Sequence, residues 1–322
     1  MRRFALVNLS TSSGVACHSR RAASWPLLVL ALCSVLTASS AARGQAPAKK
    51  PTNEDLTLTA KDGQEIKITY YKSTAGQEAP VVVMLHGKGG NRLIWKSHAE
   101  AFQKFDFAVI TVDLRGHGES TGGSGSGGAG KKGDTGSPKA KDYAAMIAGD
   151  MEAVKKFLFV EHQKKQLNMN KLGIVAADMS TPVAIAYLEL DWEKKPYDDA
   201  ETLEKQTRRG QDVQALVLLS PEATAPGVNV TKSLGYIRGV GRAVMLGVGS
   251  KNKADFTAAN KMYDLLAPKK EENIEIHRYD TPLGGTNLLG KNLGVEKQML
   301  DFLNKHVKDH KSTWRDRKNK AD

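Results

Sequence analysis

The sequence predicts an α/β fold with a mostly parallel, doubly wound sheet. Short, continuous apolar runs are typical of strands buried on both faces, and they recur along the chain. Segments with the apolar spacing of helices alternate with them, and the connections are short. Strand–helix alternation of this kind favours parallel strands joined by crossover helices.

The predicted elements follow one another in a regular order. A β-hairpin comes first, because two alternating segments flank the turn dipeptide Asp62-Gly63. The hairpin strands are predicted at 56–60 and 66–71, and buried strands at 81–85, 107–112, 172–175, 213–219, 244–248 and 274–279. Helices are predicted around 95–104, 141–163, 183–188, 256–266 and 295–307. Together they predict one domain over residues 55–310, without a segment long enough for a sizeable lid.

Residues 1–42 have the pattern of an export signal. Four arginines precede the apolar run 25–36, and small residues follow up to Ala42. The run is too short to cross a bilayer, which favours a cleaved signal over an anchor. We therefore predict an exported protein, located in the periplasm, in the cell envelope or outside the cell. Both cysteines, Cys17 and Cys33, lie in this leader, so the mature chain is expected to have no disulfide and no cysteine metal site.

Three further segments have a biased composition. Residues 43–54 are predicted to form a disordered linker, and 311–322 a basic tail. Residues 121–138 are rich in glycine and contain a literal G-x-G-x-x-G, but it does not directly follow a strand and open a helix, as a phosphate-binding loop would. A surface loop is the favoured interpretation. The net charge of +12 includes the four arginines of the leader, and most lysines alternate with acidic residues, which favours a solvated surface.

Three motifs follow predicted strands. His86-Gly87-Lys88 ends the strand at 81–85, and D-x-R-G-H-G-x-S occupies 113–120 after the next strand. The segment 175–182 has small residues two places before and after Asp178, between an apolar strand and an apolar helix. This is the layout of a strand, a sharp turn and a helix, with one side chain exposed at the turn.

These motifs resemble those of the α/β-hydrolase family, in which the turn is the nucleophile elbow, G-x-S-x-G. The resemblance covers roughly residues 56–306 and implies the α/β-hydrolase fold. It implies that the backbone amides of Lys88 and Met179 form the oxyanion hole, and that His86 and Gly87 lie at the pocket. In the family, histidines such as His86 and His117 usually brace loops.

Each of the three triad positions departs from the family pattern. Asp178 stands at the position of the nucleophilic serine. Asn252 stands at the position of the acid, with Asp255 three residues further on. Gly284 stands at the position of the histidine. The site is therefore expected to lack the Ser-His-Asp mechanism.

Two interpretations of Asp178 remain open. Haloalkane dehalogenases and epoxide hydrolases of this family use an aspartate nucleophile, but a histidine must then activate the water that cleaves the ester. Alternatively, Asp178 caps the following helix and its carboxylate accepts the backbone N–H groups of the oxyanion hole.

The leading hypothesis is a catalytically degenerate protein that binds a small molecule or a partner. The second is an active hydrolase of esters or related bonds that uses Asp178. The third is a basic surface protein that binds an anionic polymer. No cofactor, metal or specific nucleic acid is expected, and no membrane span remains after signal cleavage.

Overall fold

The computed structural model describes residues 52–121 and 138–317, which contain one eight-stranded sheet with helices on both faces. The strands are β1 (Asn53–Thr59), β2 (Glu65–Tyr71), β3 (Val81–Leu85), β4 (Ala108–Val112), β5 (Leu172–Ala177), β6 (Val213–Leu219), β7 (Ala243–Gly249) and β8 (Ile274–Tyr279). The α-helices are α1 (Lys96–Gln103), α2 (Ala140–Ala145), α3 (Met151–Gln163), α4 (Thr181–Glu193), α5 (Val230–Gly239), α6 (Lys253–Leu266) and α7 (Val295–Leu303). Within these residues, no helix is long and apolar enough to cross a membrane.

The strand order is β1-β2-β4-β3-β5-β6-β7-β8. β1 and β2 form the predicted antiparallel hairpin, and β2 pairs antiparallel with β4. All other pairs are parallel. The predicted fold class, a mostly parallel sheet preceded by a hairpin, is therefore confirmed.

The sheet is buried because its strands are apolar on both faces. Every residue of β3 and of β5 is buried. Along β5, Ile174 packs into the core layer of α3 and α4, whereas Val175 packs into the layer of α1 and α7. Burying an aliphatic side chain of this size contributes roughly 1.5–3 kcal/mol, so the two layers hold the central strands in place. The loops at the carboxyl ends of these strands are thereby positioned against one another.

Several boundaries differ from the predicted ones. β1 begins at Asn53, inside the segment predicted as a linker, because Asn53 and Glu54 pair with β2. Helix α5 was not predicted, since its moderate apolar spacing follows a run rich in Gly, Pro and Thr. The helix predicted over 141–163 is divided by a π-helical turn at Met146–Asp150, where buried Asp150 forms an ion pair with Arg115.

The residues after α7 pack against the domain. The ring of Trp314 stacks on His162, with centroids 5.0 Å apart, and Arg317 is buried against Asp212 and Asn170. Trp314 and Arg317 thus anchor the described part of the predicted basic tail, residues 311–317, to the domain. The predicted signal, most of the linker, most of the glycine-rich loop (122–137) and residues 318–322 lie outside the described residues.

Candidate functional site

Asp178 lies on a sharp turn between β5 and α4. Its φ angle is 47°, in the left-handed region that non-glycine residues rarely adopt. The hydroxyl of Ser180 accepts a hydrogen bond from the amide of Ala177 at 3.0 Å, and the hydroxyl of Thr181 donates to the carbonyl of Asp178 at 2.7 Å. These bonds hold a strained backbone that lifts one side chain out of the sheet edge, as in a nucleophile elbow.

The carboxylate of Asp178 is confined between two glycine loops. A Cβ atom added at Gly87, after β3, would overlap its Oδ2 atom. A Cβ added at Gly285, after β8, would overlap both of its oxygens, and Gly285 also has a φ of 55°. The loops after β3, β5 and β8 therefore meet at this carboxylate. Any larger residue at either glycine would have to displace it.

Asn252 and Asp255 have different places in the structure. Asn252 is the N-cap of α6: its side-chain oxygen accepts a hydrogen bond from the amide of Asp255 at 3.3 Å. The side chain of Asp255 points instead at the loop after β8, where a Cβ at Gly284 would overlap its Oδ2 atom and lie 2.8 Å from the hydroxyl of Ser220. Asp255, not Asn252, thus presents a carboxylate to the position of the missing histidine. An N-cap three residues before an acidic residue is the sequence signal that would have indicated this arrangement.

Where the family has its histidine, in the loop after β8, this chain has glycine residues. The amide of Gly285 donates to the hydroxyl of Ser220 at 2.7 Å, and Ser220 itself has a positive φ of 47° after β6. Gly284 and Gly285 contribute no side chain, and the carboxylates of Asp178 and Asp255 occupy the adjacent space.

His86 and His117, the histidines of the two motifs that follow β3 and β4, have structural roles. The Nδ1 of His86 donates to the carbonyl of Gly87 at 2.8 Å, and its Nε2 accepts from the amide of Leu114 at 3.2 Å. Burial is the main cause that lowers the pKa of His86 to about 4, so the ring is neutral. His117 packs against this ring at 4.9 Å between centroids and bonds to the carbonyl of Arg115. Both histidines brace loops.

The remaining candidates for a base also lie elsewhere. His277, on β8, pairs with Glu275 at 3.1 Å, and the ring of His306 packs against Phe302 at 4.6 Å. Among the described residues, no histidine makes a hydrogen bond with Asp178. The replacement bases considered for an Asp178 nucleophile are therefore not at the site.

The environment of Asp178 favours its protonated form. Its pKa is raised from 3.8 to about 7, first by burial and then by the negative charges of Asp255 and Glu222. Burial likewise raises the pKa of Glu222, although the charge of Lys88 opposes that shift. Glu222 was not identified from the sequence; it follows β6, and its amide donates to the hydroxyl of Thr181 at 3.0 Å. The position of Glu222 shortly after the carboxyl end of a central strand, β6, is the sequence signal that could have identified it.

The helix-capping interpretation of Asp178 is wrong in this structure. The elbow turn begins at Asp178 with Ala177 as its N-cap, and α4 begins at Thr181 with Ser180 as its N-cap. Within the described part of the chain, the side chain of Asp178 accepts no hydrogen bond from a backbone amide. A capping carboxylate would have its charged form stabilised and its pKa lowered, which is the opposite of the observed direction.

The residues expected to form an oxyanion hole flank this carboxylate. Met179 directly follows Asp178 and is buried, and Lys88 directly follows Gly87. In the described residues, no group of three or more His, Cys, Asp or Glu side chains is arranged to hold a metal ion. The site assembled by the described residues is thus an elbow carboxylate of near-neutral pKa, two further carboxylates and one lysine, and none of these residues brings an imidazole to it.

The elbow, the loop geometry and the strand order define the class of protein. The chain belongs to the α/β hydrolase fold family, whose model matches residues 80–285. No curated protein sequence matches the chain.

Solved structures of hydrolases have the same fold. An acetyl xylan esterase from Paenibacillus sp. R4 is 14% identical, with a TM-score of 0.55 over 81% of this chain and 86% of that one. An esterase from Pyrococcus furiosus is 17% identical, with a TM-score of 0.54 over 80% and 92% of the two chains. A dienelactone hydrolase from Anabaena variabilis is 11% identical, with a TM-score of 0.51 over 80% of this chain and all of that one. At such identities the likeness concerns the fold alone.

Proposed function

We propose that this protein is a catalytically degenerate member of the α/β hydrolase fold family that binds a small molecule or a partner at the elbow of Asp178. One observation carries the proposal. The loop after β8 supplies Gly284 and Gly285 instead of a histidine, and carboxylates occupy the space beside them. Acyl transfer in this fold requires an imidazole that takes and returns a proton, and no histidine of the described residues lies at the site.

The raised pKa of Asp178 supports the same conclusion. A nucleophilic carboxylate must be ionised, whereas burial and two neighbouring acids raise the pKa of this one to about 7. An ester formed on Asp178 would also persist without an imidazole to activate the water that cleaves it. In this proposal the elbow presents the side chain of Asp178 to a ligand and does not transfer an acyl group.

The second candidate is a hydrolase that uses Asp178 for catalysis. The positive φ of Asp178 favours it, because a strained backbone at an elbow is typical of functional positions. In such an enzyme, Asp255 or Glu222 would have to act as the base.

A hydrolysis screen separates the two candidates. The mature protein and its Asp178→Ala variant are assayed with short-chain esters, haloalkanes and epoxides, beside a serine esterase of the same fold as a positive control. We expect neither protein to exceed a heat-denatured sample. The variant Asp178→Ser should remain inactive as well, since a serine without a base is a weak nucleophile. Saturable turnover that disappears in Asp178→Ala would establish the enzyme instead.

We also propose that the protein is exported, with its mature chain starting near Ala42 or Arg43. The order of positive residues, apolar run and small residues at 1–42 supports this proposal. N-terminal sequencing of protein from the periplasm or the medium tests it. Cytoplasmic material that retains Met1 would contradict it.

A further inference from the structure

Strand β8 is an open edge of the sheet. It is the last strand in the sheet order, and within the described residues it pairs with β7 alone. A groove beside it is lined by residues 276–280 and by Leu293 and Gln298. Successive side chains of a strand point to opposite faces, so a groove lined by successive residues follows the edge of the strand. An open edge of this kind can pair with another strand.

The odd-numbered residues of β8 bond to β7. In a parallel pair, alternate residues of a strand exchange backbone hydrogen bonds with the neighbouring strand. The amide of Val244 donates to the carbonyl of Asn273 at 2.9 Å, and the amide of Ser250 donates to the carbonyl of Tyr279 at 2.7 Å. Because this alternation continues between the two bonds, the even-numbered residues of β8 direct their backbone groups away from β7.

These outward backbone groups are free at the centre of the strand. The amide of Ile274 donates to the carbonyl of Glu271 at 3.2 Å, in the turn before β8. The N–H and C=O groups of Ile276 and Arg278 bond to no residue in the described part of the chain. They form a short row of donors and acceptors that water or a further strand can satisfy.

The side chains of β8 carry complementary groups two positions apart. The Nε2 atom of His277 lies 3.1 Å from a carboxylate oxygen of Glu275, and both side chains are partly exposed. On the other face of the strand, the guanidinium of Arg278 donates to the side-chain oxygen of Asn260 at 2.5 Å. A strand with an acidic and a basic group on one face can pair with an antiparallel copy of itself, because each group then faces the other kind.

We propose that β8 pairs antiparallel with β8 of a second copy of this chain, about a two-fold axis at Ile276. In this register Ile276 lies opposite its own counterpart and Ile274 lies opposite Arg278, so the outward backbone groups bond to each other. Glu275 of each chain faces His277 of the other chain. An axis at residue 275, 277 or 278 would instead place two glutamates, two histidines or two arginines face to face.

The two-fold symmetry repeats every contact, so the pairing joins two sheets into one continuous sheet. Two carboxylates and two imidazoles then alternate on one face of the interface. The interface lies along the edge strand and does not include Asp178, so its test needs no ligand at the elbow.

Sedimentation equilibrium of the mature protein tests the pairing. We expect twice the mass of a single chain at micromolar concentration. His277→Glu should weaken the dimer at least about tenfold, because four carboxylates then meet at the interface. The double variant Glu275→Lys/His277→Lys should weaken it as well, because four ammonium groups then meet there.

Mixing these two variants restores opposite charges across the interface while each chain keeps its own internal changes. The mixture should therefore form dimers that neither variant forms alone. The control is Glu54→Lys, which breaks the ion pair of Glu54 with Lys72 at the other edge of the sheet and should leave the dimer unchanged. Circular dichroism of each variant verifies that it is folded.

Amide hydrogen exchange tests the same pairing in the unmodified protein. Exchange at Ile276 and Arg278 should slow as the protein concentration rises, since dimerisation protects their outward amides. The proposal is overturned if the parent is a monomer at micromolar concentration, or if exchange at these amides is independent of concentration. It is also overturned if Glu54→Lys weakens the dimer as much as His277→Glu does, or if the mixture associates no more than its components.

Discussion

Replacing Asp178 by asparagine should stabilise the protein at neutral and alkaline pH. The two side chains have nearly the same shape, so the contacts with Gly87 and Gly285 are kept while the buried charge is removed. Burial, Asp255 and Glu222 raise the pKa of Asp178 from 3.8 to about 7. Ionising this group is therefore harder in the folded protein than in the unfolded chain.

The sign and size follow from proton linkage. Between about pH 4 and pH 7, the folded state keeps a proton on Asp178 that the unfolded state has lost, so the stability of the parent falls as pH rises. Above pH 7 the difference is constant. A shift of this size corresponds to about 4 kcal/mol, which is a ceiling because the side chain is only partly buried and can relax. Near pH 3.5 the free energies of unfolding of the two proteins should change with pH in the same way.

Urea unfolding of both proteins at several pH values between 3.5 and 8.5 measures this difference. Asp178→Asn should exceed the parent by one to several kcal/mol at pH 8, and the gap should close as pH falls to about 4. The variant Asp255→Asn tests the cause of the raised pKa. It removes one of the two negative charges that raise the pKa of Asp178, so this pKa, measured by an NMR titration, should fall. A pH-independent gap, or an Asp178→Asn variant less stable than the parent at pH 8, would refute the reasoning.

Two further predictions concern stability. Gly285→Ala and Gly290→Ala each place a Cβ at a left-handed φ, which costs roughly 1–2 kcal/mol, but only the Cβ at 285 meets Asp178. In urea unfolding, Gly285→Ala should therefore lower the free energy of unfolding more than Gly290→Ala does. This excess should vanish when Asp178 is also replaced by Ala. An equal loss of stability in the two variants would contradict the crowding at the elbow. Arg317→Ala removes a buried partner of Asp212 and should destabilise by roughly 3–5 kcal/mol; a loss below 1 kcal/mol would show that residues 311–317 do not hold the domain.

The sequence motifs around the sheet are explained by loop bracing. The carboxylate of Asp113 accepts hydrogen bonds from the amide and the guanidinium of Arg92, both at 2.5 Å, and from the amide of Glu119. The hydroxyl of Ser120 donates to the carbonyl of Asp113 at 2.7 Å. The D-x-R-G-H-G-x-S motif thus fixes the loop after β4. The polar residues of this motif therefore have a role in the fold that does not depend on the residues at the triad positions.

The sequence by itself determined the sheet and the elbow, because apolar runs, turn residues and the spacing around Asp178 act locally. The loss of histidine at Gly284 could also be predicted, since it depends on residue type alone. Only the tertiary structure decided which acid faces that position and what holds Asp178. Asp255, rather than Asn252, faces Gly284. The reason is that Asn252 caps the start of α6, and the side chain of Asp255 in the first turn of this helix then points toward the loop after β8. The carboxylate of Asp178 proved to be partly buried beside other acids rather than bonded to amides, because loops far apart in sequence enclose it.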